Sequence, residues 1–183
     1  MERKFVMHKK ANGKGEVYRI ILFEESAFRL YSQQIPGKDD DMNVKDCMST
    51  QVIAVSPEEN AAVAARLMAR HNVGALPVRA VEGSLCGMVT DRDLVLRCVA
   101  LERKPEKTAV SKIMTCRVKS VTPDASLYQA ASLMAKEQVR RLPVVEGRKL
   151  VGMLSLGDLS LREDYSMEVA EALTEISSNV KNW

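Results

Sequence analysis

The chain contains two copies of one segment, and this internal repeat limits the possible folds more than any other feature of its 183 residues. VKDCMSTQVIAVSPEENAAVAARLMARHNVGALPV starts at Val44, and VSKIMTCRVKSVTPDASLYQAASLMAKEQVRRLPV starts at Val110. GMVTDRDLV from Gly87 then matches GMLSLGDLS from Gly152, after one extra residue in the loop around Gly83. A unit of about 50 to 60 residues has little interior of its own, because a short chain buries a small fraction of its surface. We therefore expect the two copies to pack face to face about a pseudo-twofold axis.

Both copies carry the same series of secondary-structure signals. β-Branched residues predict short strands over Val52–Val55 and Val118–Val121. Ser56-Pro57-Glu58-Glu59 and Thr122-Pro123-Asp124 predict helix starts, each with a hydroxyl residue as N-cap and proline at the first helical position. The remaining predicted elements are two strand pairs, Leu76–Val81 with Leu85–Thr90 and Leu142–Val145 with Leu150–Ser155, and final helices from Asp91 and Leu156. The predicted fold class is α/β (α+β), with two βαββα units.

In this order, the motifs resemble the cystathionine-β-synthase (CBS) domain. They are Met-Ser/Thr at the entry, V-S/T-P, A-L-P-V or R-L-P-V, and G-x-x-T/S-x-x-D-L. The tandem arrangement is similar to a CBS pair, or Bateman module, and it covers Val44 to about Ser160. The resemblance implies a regulatory module with two clefts, which would bind an adenine nucleotide, S-adenosylmethionine, an NAD-type molecule or a cyclic dinucleotide. It also implies association into flat homodimers, although some members of the family bind no known ligand.

A hydroxyl and an aspartate recur in each copy at one spacing: Thr90 with Asp93, and Ser155 with Asp158. The resemblance places both side chains in the cleft. An ionised aspartate only accepts hydrogen bonds, so it suits a ribose diol, which donates two. The same spacing is typical of a helix N-cap followed by an acidic third residue. Both interpretations stay open at this point, and neither excludes the other.

The resemblance implies further contacts to phosphate and adenosine. Arg140 and Arg141 precede the second proline strand, where similar proteins place a basic residue near phosphates, and Arg92 occurs only in the first copy. Arginine can bind phosphate oxygens bidentately, although surface arginines can equally be solvated charges. A helix start after the strand would also favour a phosphate. Ser56 and Thr122 occupy positions where relatives place a hydroxyl near adenosine, and helix capping is their alternative role. We expect two unequal clefts.

Composition narrows the possible function classes. The net charge is only +3 and aromatic residues make up 4%, which does not favour nucleic-acid binding. No apolar run reaches the roughly 18 residues of a membrane span, and no secretory signal is evident. The four cysteines form no C-x-x-C pair, and with only two histidines we expect no metal site. No nucleophile–base pair or phosphate-binding loop indicates an enzyme, and no covalent cofactor is expected.

The predicted division of the chain is an extension over 1–41, CBS units over 42–103 and 104–162, and a C-terminal helix over 163–183. In that helix Val169, Leu173, Ile176 and Val180 share one apolar face, while Glu168 lies elsewhere. We expect it to pack on the module, a dimer contact being the alternative.

The first 41 residues match nothing in the repeat. We expect 1–15 and the PGKDDD stretch to be disordered, whereas GEVYRIILFEESAFRLY could form a strand or a short helix. One hypothesis is that this extension comes from an upstream start codon or a cloning vector, with Met42 as the first native residue. The alternative is a docking segment.

The sequence thus predicts a cytoplasmic, stand-alone CBS pair that binds an adenosine-containing small molecule and signals to an unknown effector protein. A ligand-free CBS dimer that acts as an interaction scaffold is the alternative.

Overall fold

The computed structural model describes residues 3–12, 15–24, 42–162 and 165–178. The chain divides into two units, Met1–Asp40 and Asp41–Trp183. The repeat lies entirely in the second unit.

The first unit contains a β-hairpin. β1 (Arg3–Asn12) pairs antiparallel with β2 (Gly15–Glu24), and Phe5 lies opposite Leu22. Residues 3–12 thus form a strand where disorder was expected, whereas the PGKDDD stretch lies outside the described residues. The charged residues at the start of the chain suggested disorder, but the short apolar run around Phe5 pairs with the apolar run of β2.

The second unit repeats one order of elements. The first copy contains α1 (Ala61–His71), β3 (Ala75–Arg79), β4 (Leu85–Thr90) and α2 (Asp91–Leu94), which continues in a π-helical turn (Val95–Val99). The second copy contains α3 (Leu127–Glu137), β5 (Arg141–Glu146), β6 (Lys149–Ser155) and α4 (Leu156–Ser160), and α5 (Ser166–Ser178) follows. The first strand of each copy is reduced to one parallel bridge, Val55 with Val78 and Val121 with Val144. The predicted βαββα order and the mixed α+β class are confirmed.

The two long helices begin later than predicted. The N-cap of α1 is Asn60, whose side chain accepts from the Val63 N–H at 3.0 Å, and the N-cap of α3 is Ser126. Ser56 instead closes a local turn, where its hydroxyl donates to Glu58 Oε2 at 2.7 Å. The capping roles expected for Ser56 and Thr122 are therefore wrong. The apolar positions that face the core start directly after Asn60 and Ser126, so packing selects the second of two competing start signals.

Each copy sends its entry segment into the core of the other. Val44 is fully buried in the core of the second copy, whereas Val110 and Ile113 are fully buried in the core of the first. Backbone hydrogen bonds fix both crossings, from Val44 N to Ala125 O at 2.9 Å and from Val110 N to Glu59 O at 2.8 Å. A boundary between residues 103 and 104 therefore separates the two copies along the chain, but each core contains residues from both copies.

An ion pair strengthens one of these crossings. Lys45 Nζ donates to Asp124 Oδ1 at 2.8 Å, and this hydrogen bond raises the pKa of Lys45. In the other crossing the position equivalent to Lys45 holds Ser111. Serine has no ammonium group that could pair with Glu58, the equivalent of Asp124.

The C-terminal helix α5 packs against α3 and α4. Its buried side differs from the predicted one, because it includes Ala172 and Glu168 and leaves Leu173 45% exposed. The other predicted members of the face are Val169, which is buried, Ile176, which is partly buried, and Val180, which lies outside the described residues. Packing on the module is thus observed, with the helix rotated relative to the expected face.

Candidate functional site

A cleft of about 930 Å³ lies between the two copies, and the hydroxyl residue of each G-x-x-T/S-x-x-D motif lines it. Thr90 and Ser155, the last residues of β4 and β6, both line this cleft. The sequence predicts two unequal clefts, and six of the nine residues assigned to them line this cavity. Further walls come from residues 115–119 in the entry segment of the second copy, which we call the linker, from the α3–β5 connection, and from α5.

The recurring hydroxyl–aspartate pairs cap the two short helices. The Asp93 N–H donates to Thr90 Oγ1 at 3.1 Å, and Asp93 Oδ2 accepts from the Thr90 N–H at 2.9 Å and from its hydroxyl at 2.8 Å. Asp158 and Ser155 repeat this arrangement at 3.2, 2.7 and 2.7 Å. The capping interpretation is confirmed in both copies. The helices themselves are one turn long, so their dipoles contribute little to binding an anion.

The two aspartates differ in the ion pair made by Oδ1, the carboxylate oxygen that does not cap the helix. Asp93 Oδ1 lies 3.2 Å from Arg97 Nη1, and Arg97 also donates to the Ile113 carbonyl at 2.7 Å. The repeat equivalent of Arg97 is Arg162, which follows the end of α4 at Ser160. The π-helical turn that keeps Arg97 one turn beyond Asp93 has no counterpart in the second copy among the described residues.

Six of the nine predicted ligand residues line the cleft: Thr90, Arg92, Asp93, Arg140, Arg141 and Ser155. Asp158, Ser56 and Thr122 are not among the lining residues, so their role in ligand binding stays a prediction. Asp158 Oδ2 is directed at the Ser155 backbone and hydroxyl. The turns that contain Ser56 and Thr122 instead receive the exchanged entry segments, whose N–H groups donate to the Pro57 and Pro123 carbonyls.

Two basic residues of the cleft were missed by the sequence analysis. Arg117 and Lys119 lie in the linker that enters the second copy, and both line the cavity. Their repeat equivalents are Gln51 and Ile53, so a position-by-position comparison of the two entry segments would have revealed the difference in charge. Lys119 Nζ lies 3.5 Å from Glu137 Oε1.

The other four cations of the cleft have no ion pair with any described residue: Arg92, Arg117, Arg140 and Arg141. All four are exposed to solvent. Three carboxylates also line the cavity, and two of them are already paired, Asp93 with Arg97 and Glu137 with Lys119. The cleft therefore carries a net positive charge that a bound anion would neutralise.

Metal ligands are not grouped in the described part of the chain, where no three His, Cys, Asp or Glu side chains are placed to hold an ion. The four cysteines are free, and Cys116 is exposed. Among the described helices, none has the length and apolar character of a membrane span.

The family model of the CBS domain matches residues 44–99 and 110–162. The chain is 47% identical over 135 residues to the CBS domain-containing protein YhcV of Bacillus subtilis, which covers 74% of this chain and 95% of that protein. It is 32% identical over 116 residues to hypoxic response protein 1 of Mycobacterium tuberculosis, covering 63% and 81%.

Two solved structures resemble the fold. Hypoxic Response Protein I with two coordinated zinc ions aligns at a TM-score of 0.62 and 30% identity, covering 66% of this chain and 98% of that one. The CBS domain pair of protein MJ0100, in complex with 5′-methylthioadenosine and S-adenosyl-L-methionine, aligns at a TM-score of 0.59 and 28% identity, covering 66% and 94%.

Proposed function

The chain belongs to the CBS domain family, and we propose that its tandem pair is a regulatory module that binds a phosphate-bearing adenosine nucleotide in the cleft between the copies. The observation that carries this proposal is the lining of the cleft. The hydroxyls that end β4 and β6 and a cluster of unpaired arginines border the same cavity.

The arginines supply the charge for a phosphate group. Arg140 and Arg141 are consecutive at the start of β5, Arg117 comes from the linker, and Arg92 comes from the start of α2. Each guanidinium can donate two parallel hydrogen bonds to phosphate oxygens. Because no described carboxylate neutralises them, a bound polyphosphate would gain their attraction without breaking an existing ion pair.

The nucleoside would lie beside the capping groups. Thr90 and Ser155 are partly exposed residues that line the cleft, as does Asp93. An oxygen has two lone pairs, so Asp93 Oδ1 can accept from a ribose hydroxyl while it remains close to Arg97. The cavity volume falls within the range of about 300–1,000 Å³ that small-molecule sites occupy.

The related MJ0100 pair was solved with two adenosine compounds, which supports an adenosine moiety in such a cleft. S-Adenosylmethionine carries a cationic sulfonium, which the net positive charge of this cleft would repel. Phosphate-bearing adenosines are therefore expected to bind this chain more tightly than S-adenosylmethionine does.

The linker can transmit ligand binding in the cleft to a change in conformation that a partner protein detects. Arg117 and Lys119 line the cleft, and the same linker segment is tied through Thr115 to Arg97, which donates to Thr115 Oγ1 at 3.2 Å. A ligand that binds Arg117 more tightly in one linker position would shift the module towards that state. The same proposal includes an effector protein that binds one of these states. It also includes a homodimeric assembly and a cytoplasmic location.

A second candidate is a ligand-free scaffold. The π-helical turn and the residues after it expose Val95, Leu96, Val99 and Leu101, which form an apolar surface available for a protein contact.

A thermal-shift panel separates the two functions. ATP, ADP, AMP, S-adenosylmethionine, NADH and cyclic di-AMP are each titrated against the purified protein. Binding to the native state should raise the midpoint with ligand concentration, most for ATP. If no nucleotide shifts the midpoint and none shows saturable binding, the nucleotide function is overturned and the scaffold is favoured. Turnover of bound ATP would contradict a purely regulatory role.

A further inference from the structure

Aliphatic side chains line the cleft as well as cations. Val139 and Leu173 line the cavity and are 36% and 45% exposed. Leu156 and Val169, which are buried, also line it. We refer to these four side chains as the apolar wall. Aliphatic side chains left exposed inside a cavity are a common feature of sites for small organic ligands.

Half of the apolar wall comes from α5, which lies outside the residues matched by the family model, since that match ends at 162. Val169 and Leu173 are one helical turn apart and so lie on neighbouring parts of one side. The helix is held by Tyr165, Val169 and Ala172, which are buried in the core of the second copy. The Gln138 side chain also donates to the Glu175 carbonyl at 3.4 Å. Leu173 therefore lines the cleft from a helix that packs against the core of the second copy.

The apolar wall and the phosphate-binding arginines are adjacent in the chain. Val139 directly precedes Arg140 and Arg141, and all three line the cavity. A ligand that satisfies both carries an apolar group and an anion in one molecule, as a purine nucleotide does. Inorganic polyphosphate would leave Leu173 and Val139 exposed to water.

We propose that α5 is part of the ligand site and that the apolar wall binds the purine base of the nucleotide. This inference rests on the proposed nucleotide function and adds the element that recognises the base. The base lies against Leu173 and Val139, and the phosphates extend towards Arg140 and Arg141. Affinity for a base-containing ligand therefore depends on a helix outside the repeat.

Leu173→Ala tests this directly, because a partly exposed side chain can be shortened without opening a core cavity. Leu161→Ala is the matched control, since Leu161 is 82% exposed and is not among the residues that line the cleft. Isothermal titration calorimetry is carried out with AMP, ATP and inorganic tripolyphosphate. Leu173→Ala should weaken AMP and ATP about tenfold and leave tripolyphosphate unchanged, while Leu161→Ala should match the wild type for all three.

The outcomes separate the inference from the function on which it rests. Wild-type affinity of Leu173→Ala for AMP and ATP would overturn the apolar wall as a base site and leave nucleotide binding intact. An equal loss for tripolyphosphate would also overturn it, because the effect would then not concern the base. Failure of the wild-type protein to bind either nucleotide would overturn both proposals.

Discussion

Ser84 and Lys149 form an antiparallel bridge with each other, although they hold equivalent positions in the two copies of the repeat. The flanking backbone hydrogen bonds are reciprocal, from Leu85 N to Arg148 O at 3.1 Å and from Leu150 N to Gly83 O at 3.0 Å. A residue that pairs with its own repeat equivalent marks the pseudo-twofold axis. The same symmetry brings the ends of β4 and β6 to one cleft, so the recurrence of the motif explains why two hydroxyls border a single cavity.

The glycine that opens each recurring motif is required where the entry segment of the other copy crosses the strand. A Cβ at Gly87 would lie 2.5 Å from the Thr115 carbonyl oxygen, whereas a Cβ at Gly152 would lie 2.5 Å from Met48 Sδ. A methionine side chain can move aside more easily than a backbone carbonyl can. Gly87→Ala should lower the free energy of unfolding by about 1–3 kcal/mol, and Gly152→Ala should lower it less. Urea denaturation followed by circular dichroism measures both, and an equal or larger loss for Gly152→Ala would refute the explanation.

The corrected helix start makes a prediction about capping. Asn60→Ala removes the acceptor for the Val63 N–H and should lower the free energy of unfolding by about 1 kcal/mol. Ser56→Ala removes only contacts within a partly exposed turn and should cost less. The two variants are compared by chemical denaturation under one set of conditions. If Ser56→Ala proved the more destabilising, the helix would have to be capped at the position first predicted.

The cleft arginines should distinguish phosphates from nucleosides. Arg141→Ala and Arg117→Ala are each expected to weaken ATP binding about tenfold or more, because each removes a charged hydrogen-bond donor. Binding of adenosine, which has no phosphate, should change little. Arg103→Ala serves as the control, since Arg103 is exposed and is not among the lining residues. Unchanged affinity of Arg141→Ala for every phosphorylated nucleotide in calorimetric titrations would remove Arg141 from the site.

The sequence predicted most of the repeat because its signals are local. Strand pairs, the final helices and the paired caps at Thr90 and Ser155 all depend on residues close together in the chain. The starts of α1 and α3 were misplaced because two start signals compete and tertiary packing decides between them. The charged residues before Phe5 similarly obscured the short run that pairs in the first hairpin.

The parts of the site that were not predicted depend on contacts between distant segments. Arg117 reaches the cleft because the linker crosses to the first copy, which no local pattern indicates. The exposure of Leu173 depends on the rotation of α5 against α3 and α4, and periodicity alone assigned it to the buried face.

The most direct test of nucleotide binding in the cleft is a heteronuclear NMR titration of ¹⁵N-labelled protein with ATP. The account predicts saturable shifts of the backbone amides of Thr90, Arg117, Arg141 and Ser155, while the amides of Ser84 and Lys149 at the hairpin tips remain unchanged. The absence of saturable shifts, or shifts confined to residues outside the cleft, would contradict it.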